Sequence, residues 1–193
     1  MAATSFFPAK PLGCYGDGGA IFTDDDELAD LIRSIRVHGQ GTDKYDNIRI
    51  GVNGRMDTMQ AAVLLAKMQV FDDEIVARNK AARAYTERLR DILTVPYVVE
   101  GDTSVWAQYT LQAKDSEERQ KIMDGLNDRG IPTACYYPVP MHLSSAYASL
   151  GYKKGDLPVC EQAAERVFSI PMHPYLELGQ IDEIANAIKE VLA

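Results

Sequence analysis

The sequence predicts an α/β chain, and three observations carry that prediction. Two short β-prone runs, Thr4–Phe7 and Ala20–Phe22, flank a turn rich in proline and glycine. From Asp57 to Ile92 the apolar residues keep a spacing of three or four, the period of a helix with one buried face. Beyond Thr94, strand-like runs alternate with amphipathic helical patterns, which fits a small α+β domain.

Thr4 to Phe7 reads as a short buried strand stopped by Pro8. Lys10 follows, set between Pro8 and Pro11 in a turn whose backbone has little freedom. Gly13, Gly16, Gly18 and Gly19 then thin out the side chains, as happens where backbone turns tightly or approaches a ligand. Taken alone, Lys10 also fits an ordinary solvated loop lysine. Thr23-Asp24-Asp25-Asp26 is a helix start with Thr23 as the cap, and Leu28, Leu31, Ile32 and Ile35 give that helix a buried face to about Val37. The aspartate run lacks the alternation and glycine of a calcium loop.

His38 to Arg55 carries four glycines and no apolar period, so it is a long loop of the kind that tends to be functional. Along Asp57–Ile92, Leu64, Met68, Phe71, Ile75, Ala82, Tyr85, Leu89 and Ile92 form the stripe, with Arg78 as a polar interruption. A continuous helix there would reach about 50 Å, so a break near Phe71-Asp72-Asp73 is expected. Val95–Val99, Val105–Gln112 and Thr133–Pro138 read as strands. Ser116–Arg129 reads as a helix closed by Gly130, and Pro158–Val167 and Gly179–Leu192 as further helices. Ser169–Pro174 reads as a loop, with Met172-His173-Pro174 shaping it, and Trp106 as a core or interface residue.

The 28 acidic against 20 basic residues give a net charge of −8, which argues against nonspecific nucleic-acid binding. No apolar run approaches the ~18 residues of a membrane span, and no signal-peptide pattern opens the sequence. Cys14, Cys135 and Cys160 are odd in number and scattered, which suits reduced thiols in the cytoplasm. His38, His142 and His173 make no metal-ligand spacing with them, so no metal site is expected.

Two motifs carry a resemblance. Ser5-Phe6-Phe7-Pro8-Ala9-Lys10-Pro11-Leu12-Gly13, followed by Gly16-Asp17-Gly18-Gly19-Ala20, resembles the cofactor-lysine segment of the DegT/DnrJ/EryC1/StrS family of pyridoxal-phosphate sugar aminotransferases, which have fold type I. Gly51-Val52-Asn53-Gly54-Arg55-Met56-Asp57-Thr58-Met59-Gln60-Ala61-Ala62 resembles the family's other signature. The resemblance implies that Lys10 makes the covalent link to pyridoxal 5'-phosphate and shuttles protons, and that Ser5 binds the cofactor's phosphate. It implies that Asn53 reaches across a homodimer interface to the partner's cofactor phosphate, and that Arg55 and Tyr137 meet the substrate. His38 is a further substrate-side candidate. His142 matches a frequent family histidine, with a structural role equally open. For Arg55 an interface salt bridge stays open as well.

Members of that family are considerably longer, with the cofactor lysine near mid-chain, whereas Lys10 lies close to Met1 here. The resemblance therefore implies the C-terminal half of an enzyme: a remnant of the large cofactor domain over 1–70, a linking helix over 71–93, and a small α+β domain over 94–193. By itself such a half is expected to be incomplete and inactive. Family members that act as dehydratases replace the lysine with histidine, so Lys10 points to amino transfer. The segment from Ser5 to Ala20 looks most like the branch that aminates UDP-2-acetamido-2-deoxy-3-oxo-glucuronate, with an amino-acid donor such as glutamate, in bacterial surface-polysaccharide synthesis. Two other classes stay open: a noncatalytic fragment that only folds and dimerises, and a regulator built on the same domain.

Overall fold

The computed structural model describes residues 1–193, and the chain divides into two compact units, Met1–Asp72 and Asp73–Ala193. No helix is long and apolar enough to cross a membrane.

In the first unit, β1 (Ala2–Ser5) pairs antiparallel with β2 (Gly19–Phe22), placing Ala2 opposite Phe22 and Ser5 opposite Gly19. The strand expected at Thr4–Phe7 thus starts earlier and ends sooner. Phe6 and Phe7 already belong to the turn: Phe6 N–H donates to the Gly18 carbonyl at 2.8 Å and Phe7 N–H to the Ser5 hydroxyl at 3.2 Å. The expected burial of these strands is not observed. Ile21 is 52% exposed and Phe22 58%, because a two-stranded ribbon has no further strand or helix layer to close over both its faces.

Helix α1 (Asp26–Ile35) follows, and its cap differs from the sequence expectation. The Asp25 carboxylate, rather than Thr23, accepts the Leu28 N–H at 2.9 Å, while the Thr23 hydroxyl accepts the N–H of Asp25. The loop after α1 is held by single bridges between Val37 and Asn53 and between Gln40 and Asn47. Gly39 has φ +76°, and a Cβ there would collide with the Arg49 carbonyl, so this crossing of two backbones requires glycine. Helix α2 (Thr58–Met68) and helix α3 (Phe71–Leu89) realise the long helical stretch, with the break at Gln69–Val70, immediately before the expected Phe71-Asp72-Asp73.

The second unit has an apolar core. Tyr85 and Leu89 of α3, Tyr109 and Leu111 of β3 (Tyr109–Gln112), Ile122 and Leu126 of α4 (Ser116–Asn127), Phe168 of β4 (Val167–Ile170), and Ile181 and Ile188 of α6 (Leu178–Leu192) are all fully buried. The remaining α-helix, α5 (Pro158–Arg166), runs directly into β4, and two short 3-10 helices, Met141–Leu143 and Ser145–Leu150, precede it. β3 and β4 are antiparallel, with Tyr109 opposite Ile170.

Several strand expectations fail in this unit. Val95–Val99 forms no bridge, the nearest being Thr94–Gln112 just before it, and Thr133–Pro138 contributes only the bridge Ala134–Ser169; prolines 96 and 138 remove ladder donors. The run Val105–Gln112 is extended only from Tyr109, because Trp106 takes φ +47° and turns the chain. Conversely, Val167–Ile170, read as a helix end and a loop, is the strand that completes the sheet. The Ser169 hydroxyl hydrogen-bonds that of Thr110 across the pair at 2.9 Å.

Candidate active site

Lys10 sits at the head of a turn whose base is stitched to itself. Its N–H donates to the Phe7 carbonyl at 2.8 Å. A Cβ on Gly13 would lie 2.7 Å from the Pro8 carbonyl oxygen, 2.8 Å from that of Phe7 and 3.0 Å from that of Lys10, so three carbonyls close over this glycine. Cys14 is completely buried; its N–H donates to the Phe6 carbonyl at 2.8 Å, and its thiol lies 3.0 Å from the carbonyls of Phe6 and Gly16. The Lys10 side chain itself is exposed and enters no ion pair. A fixed base under a free amine is what nucleophilic use of a lysine requires.

Ser5 ends β1 at the foot of the same turn, with its hydroxyl exposed and accepting the Phe7 N–H. Asn53 and Arg55 are brought together on the loop before α2: the Arg55 Nε–H donates to the Asn53 side-chain oxygen at 3.0 Å. This bond engages Nε alone and leaves the two terminal nitrogens for an acceptor. His38 adopts φ +60°, and its N–H donates to the Val52 carbonyl at 3.0 Å, so it neighbours the Asn53 segment through backbone. His38, Asn53 and Arg55 are all exposed.

Tyr137 belongs to the second unit. It is 70% exposed and lines an open groove of about 580 Å³ with Tyr136, Met141, Cys160 and Val167. His142, beside this groove, has the structural role: it is buried and its Nε2 lies 3.0 Å from a Glu161 oxygen. Burial would push the Glu161 carboxyl up, but hydrogen bonds from the Gly155 and Leu157 N–H groups, together with His142, outweigh it and hold the carboxyl below the usual glutamate range. His173 is lowered, first by burial and then by the Arg78 charge; its Nδ1 accepts the Tyr175 N–H at 3.2 Å and so shapes its loop.

Sequence reasoning did not single out Gln60 and Lys67 as site residues. Both lie on α2 and touch the turn that carries Lys10. The available signal was their spacing with Leu64, which puts all three on one helical face.

The residues present fit pyridoxal phosphate: an unpaired amine for the covalent link, and a hydroxyl and an amide on exposed backbone for phosphate oxygens. The α/β fold carrying them is that of the fold type I transferases. The sequence profile of the "DegT/DnrJ/EryC1/StrS aminotransferase family" matches residues 1–189, and the chain belongs to that family, whose cofactor is pyridoxal phosphate. The chain is 47% identical over 189 residues to the UDP-2-acetamido-2-deoxy-3-oxo-D-glucuronate aminotransferase of Pseudomonas aeruginosa, a match covering 97% of this chain and 51% of the relative. It superposes with a TM-score of 0.90 and 49% identity on a DegT DnrJ EryC1 StrS aminotransferase from Brucella abortus, covering 97% of this chain and 50% of that one. For DesV from S. venezuelae, solved in complex with a ketimine intermediate, the TM-score is 0.91 and the identity 38%, with the same coverage. The chain therefore spans about half the length of the relatives it matches. The family expected from the two motifs is borne out.

Proposed function

We propose that this chain supplies the lysine-bearing part of an aminotransferase that moves an amino group from an amino acid, L-glutamate, to the keto carbon of a nucleotide sugar. The sugar is UDP-2-acetamido-3-keto-glucuronate, and the setting is bacterial surface-polysaccharide synthesis (lipopolysaccharide O-antigen) in the cytoplasm. The observation that carries this reading is the free amine of Lys10 on a turn closed by Gly13 and Cys14. The identity with the Pseudomonas aeruginosa protein supports the choice of sugar.

Pyridoxal phosphate, when bound, supplies the electron sink for bond making and breaking at the substrate carbon. The amine of Lys10 would hold the cofactor covalently, and as a free amine Nζ would carry the proton as acid and base. The short turn keeps Nζ within reach throughout, an orientation effect rather than an added charge. The hydroxyl of Ser5 holds the cofactor's phosphate. Asn53 acts across a homodimer, where its loop crosses to the partner copy. Arg55, oriented by Asn53, presents its fork to the sugar carboxylate. His38 and Tyr137 line the sugar side. In this reading residues 1–70 belong to the large cofactor-binding domain, 71–93 link, and 94–193 form the small domain.

The test is chemical. Pyridoxal phosphate followed by borohydride reduction should place the label on Lys10, located by peptide mass. In the whole enzyme, Lys10→Ala should abolish turnover without unfolding the protein. Preferential labelling of other lysines, or retained turnover, would reject the assignment. Arg55→Lys should weaken a carboxylate-bearing sugar far more than an uncharged one; equal weakening would remove the carboxylate role.

A further inference from the structure

One face of helix α2 grips the turn that carries Lys10. Gln60, Leu64 and Lys67 stand at i, i+4 and i+7, so they project from the same side of the helix. Leu64 is buried at the middle of that face and holds it against the rest of the unit. At one end, the Gln60 side-chain oxygen accepts the Tyr15 N–H at 2.8 Å, a contact that joins residues far apart in sequence. Gln60 also fills the space beside Gly16, where a Cβ would meet its amide nitrogen at 3.3 Å. At the other end, the Lys67 ammonium donates to the Gly13 carbonyl at 2.6 Å and lies 5.1 Å from the centre of the Tyr15 ring.

These contacts fall on Gly13 and Tyr15, on either side of the buried Cys14, and only a few residues beyond Lys10. The turn's other bonds are internal to it: Cys14 to Phe6, Phe6 to Gly18, Lys10 to Phe7. Internal bonds fix the shape of the turn's base but make no hydrogen bond from it to a helix. The ribbon β1–β2 beneath it is exposed and adds little restraint. A charge-assisted bond to a carbonyl and a side-chain acceptor for a loop N–H supply what is missing.

We propose that Gln60 and Lys67 are positioning residues, which together anchor the Gly13–Tyr15 backbone to α2 and thereby fix the direction in which the Lys10 amine is offered. For Lys10 as the cofactor-linking amine this rests on the function proposed above; the anchoring itself does not.

The experiment uses the full 193-residue chain in two measurements, with four variants. Gln60→Leu and Lys67→Met keep shape and stem but remove the bonds. Gln60→Glu keeps an acceptor oxygen, and Lys67→Arg keeps a charged donor. In hydrogen exchange, Gln60→Leu and Lys67→Met should speed exchange at the Tyr15 amide by about tenfold or more, as loss of one such bond allows, while amides of the β3–β4 pair stay unchanged. Gln60→Glu and Lys67→Arg should restore most of the protection. In borohydride-trapped labelling with pyridoxal phosphate, the same two disrupting variants should slow capture at Lys10 selectively against Lys44 and Lys80, and the conservative variants should rescue it. Unchanged Tyr15 exchange in both disrupting variants overturns the anchoring, whatever Lys10 does. Lost protection with unchanged capture at Lys10 overturns its effect on the amine. Failure of the wild-type chain to label Lys10 preferentially instead sinks the functional reading, and the exchange data still decide the anchoring.

Discussion

The two units of this chain are held by different physics. In the second, nineteen buried residues form one continuous core drawn from helices α3, α4 and α6, the β3–β4 pair and adjoining loop residues. In the first, the buried apolar side chains are Cys14 and Leu64, and order comes from hydrogen bonds to backbone: Cys14 within the turn, Asp25 at its helix, Gln60 and Lys67 from α2. The candidate chemistry, Ser5, Lys10, His38, Asn53 and Arg55, sits almost wholly on the unit with the thinner core. Apolar burial fixes elements against one another without regard to direction, whereas a short hydrogen bond fixes where one group points. A site that must aim an amine is served by the second kind, at a cost in local stability.

That contrast is broken most forcefully from the core side. Phe168 is fully buried on β4 between the helices of the second unit. Phe168→Ala should destabilise that unit by about 3–5 kcal/mol through lost burial and an unfilled cavity. Chemical denaturation followed by circular dichroism measures it. A loss below about 1 kcal/mol would mean that the core repacks freely around the missing ring.

In the first unit the corresponding change is Leu64→Ala. Its helix neighbours Leu65 and Met68 are 66% and 57% exposed, so the site can relax and the cost should fall at the lower end of the range for such changes, about 2 kcal/mol. The consequence should be local: proteolysis within residues 1–72 accelerates while the second unit's unfolding transition stays in place. A global shift of that transition would show that the two units unfold as one.

What the sequence disclosed divides along the same line. Helices were legible because period is local: the stripe through Leu64, Tyr85 and Leu89, the break near Phe71, and the start at Ser116 all recur in the structure, although α1 is capped by Asp25 and not by Thr23. Strands were not, because β4 exists only by pairing with β3, and Val95–Val99 lacks such a partner despite its composition. The Lys10 turn was legible through Pro8, Pro11 and Gly13, whose backbone demands are intrinsic. Gln60 and Lys67 were not, since a contact spanning Lys67 to Gly13 leaves no local trace. His142 was undecidable until Glu161, on another element, was found beside it.

The smallest expected effect concerns that pair, and it tests whether directional bonding also matters in the apolar unit. Glu161 gathers α5, the loop at Gly155 and Leu157, and His142 through one carboxylate. Burial opposes its charge, but the bonded N–H groups and His142 prevail, so its folded value lies below the usual 4.5. A carboxyl lowered on folding contributes stability that is fully present above its unfolded value and is lost as pH falls through the folded one. Melting temperature should therefore begin to decline once pH falls past the ordinary histidine range, because His173 is lowered on folding, and should decline further below the ordinary glutamate range as Glu161 takes up its proton. Asp182, lowered by its bond to Arg88, drives a decline in the same direction, so the informative quantity is the difference from Glu161→Gln. That variant should be less stable at neutral pH and lose less on acidification, because it has no carboxyl there to protonate. Parallel melting curves for the two proteins would mean that this carboxylate is not linked to folding, and that the second unit rests on its apolar core alone.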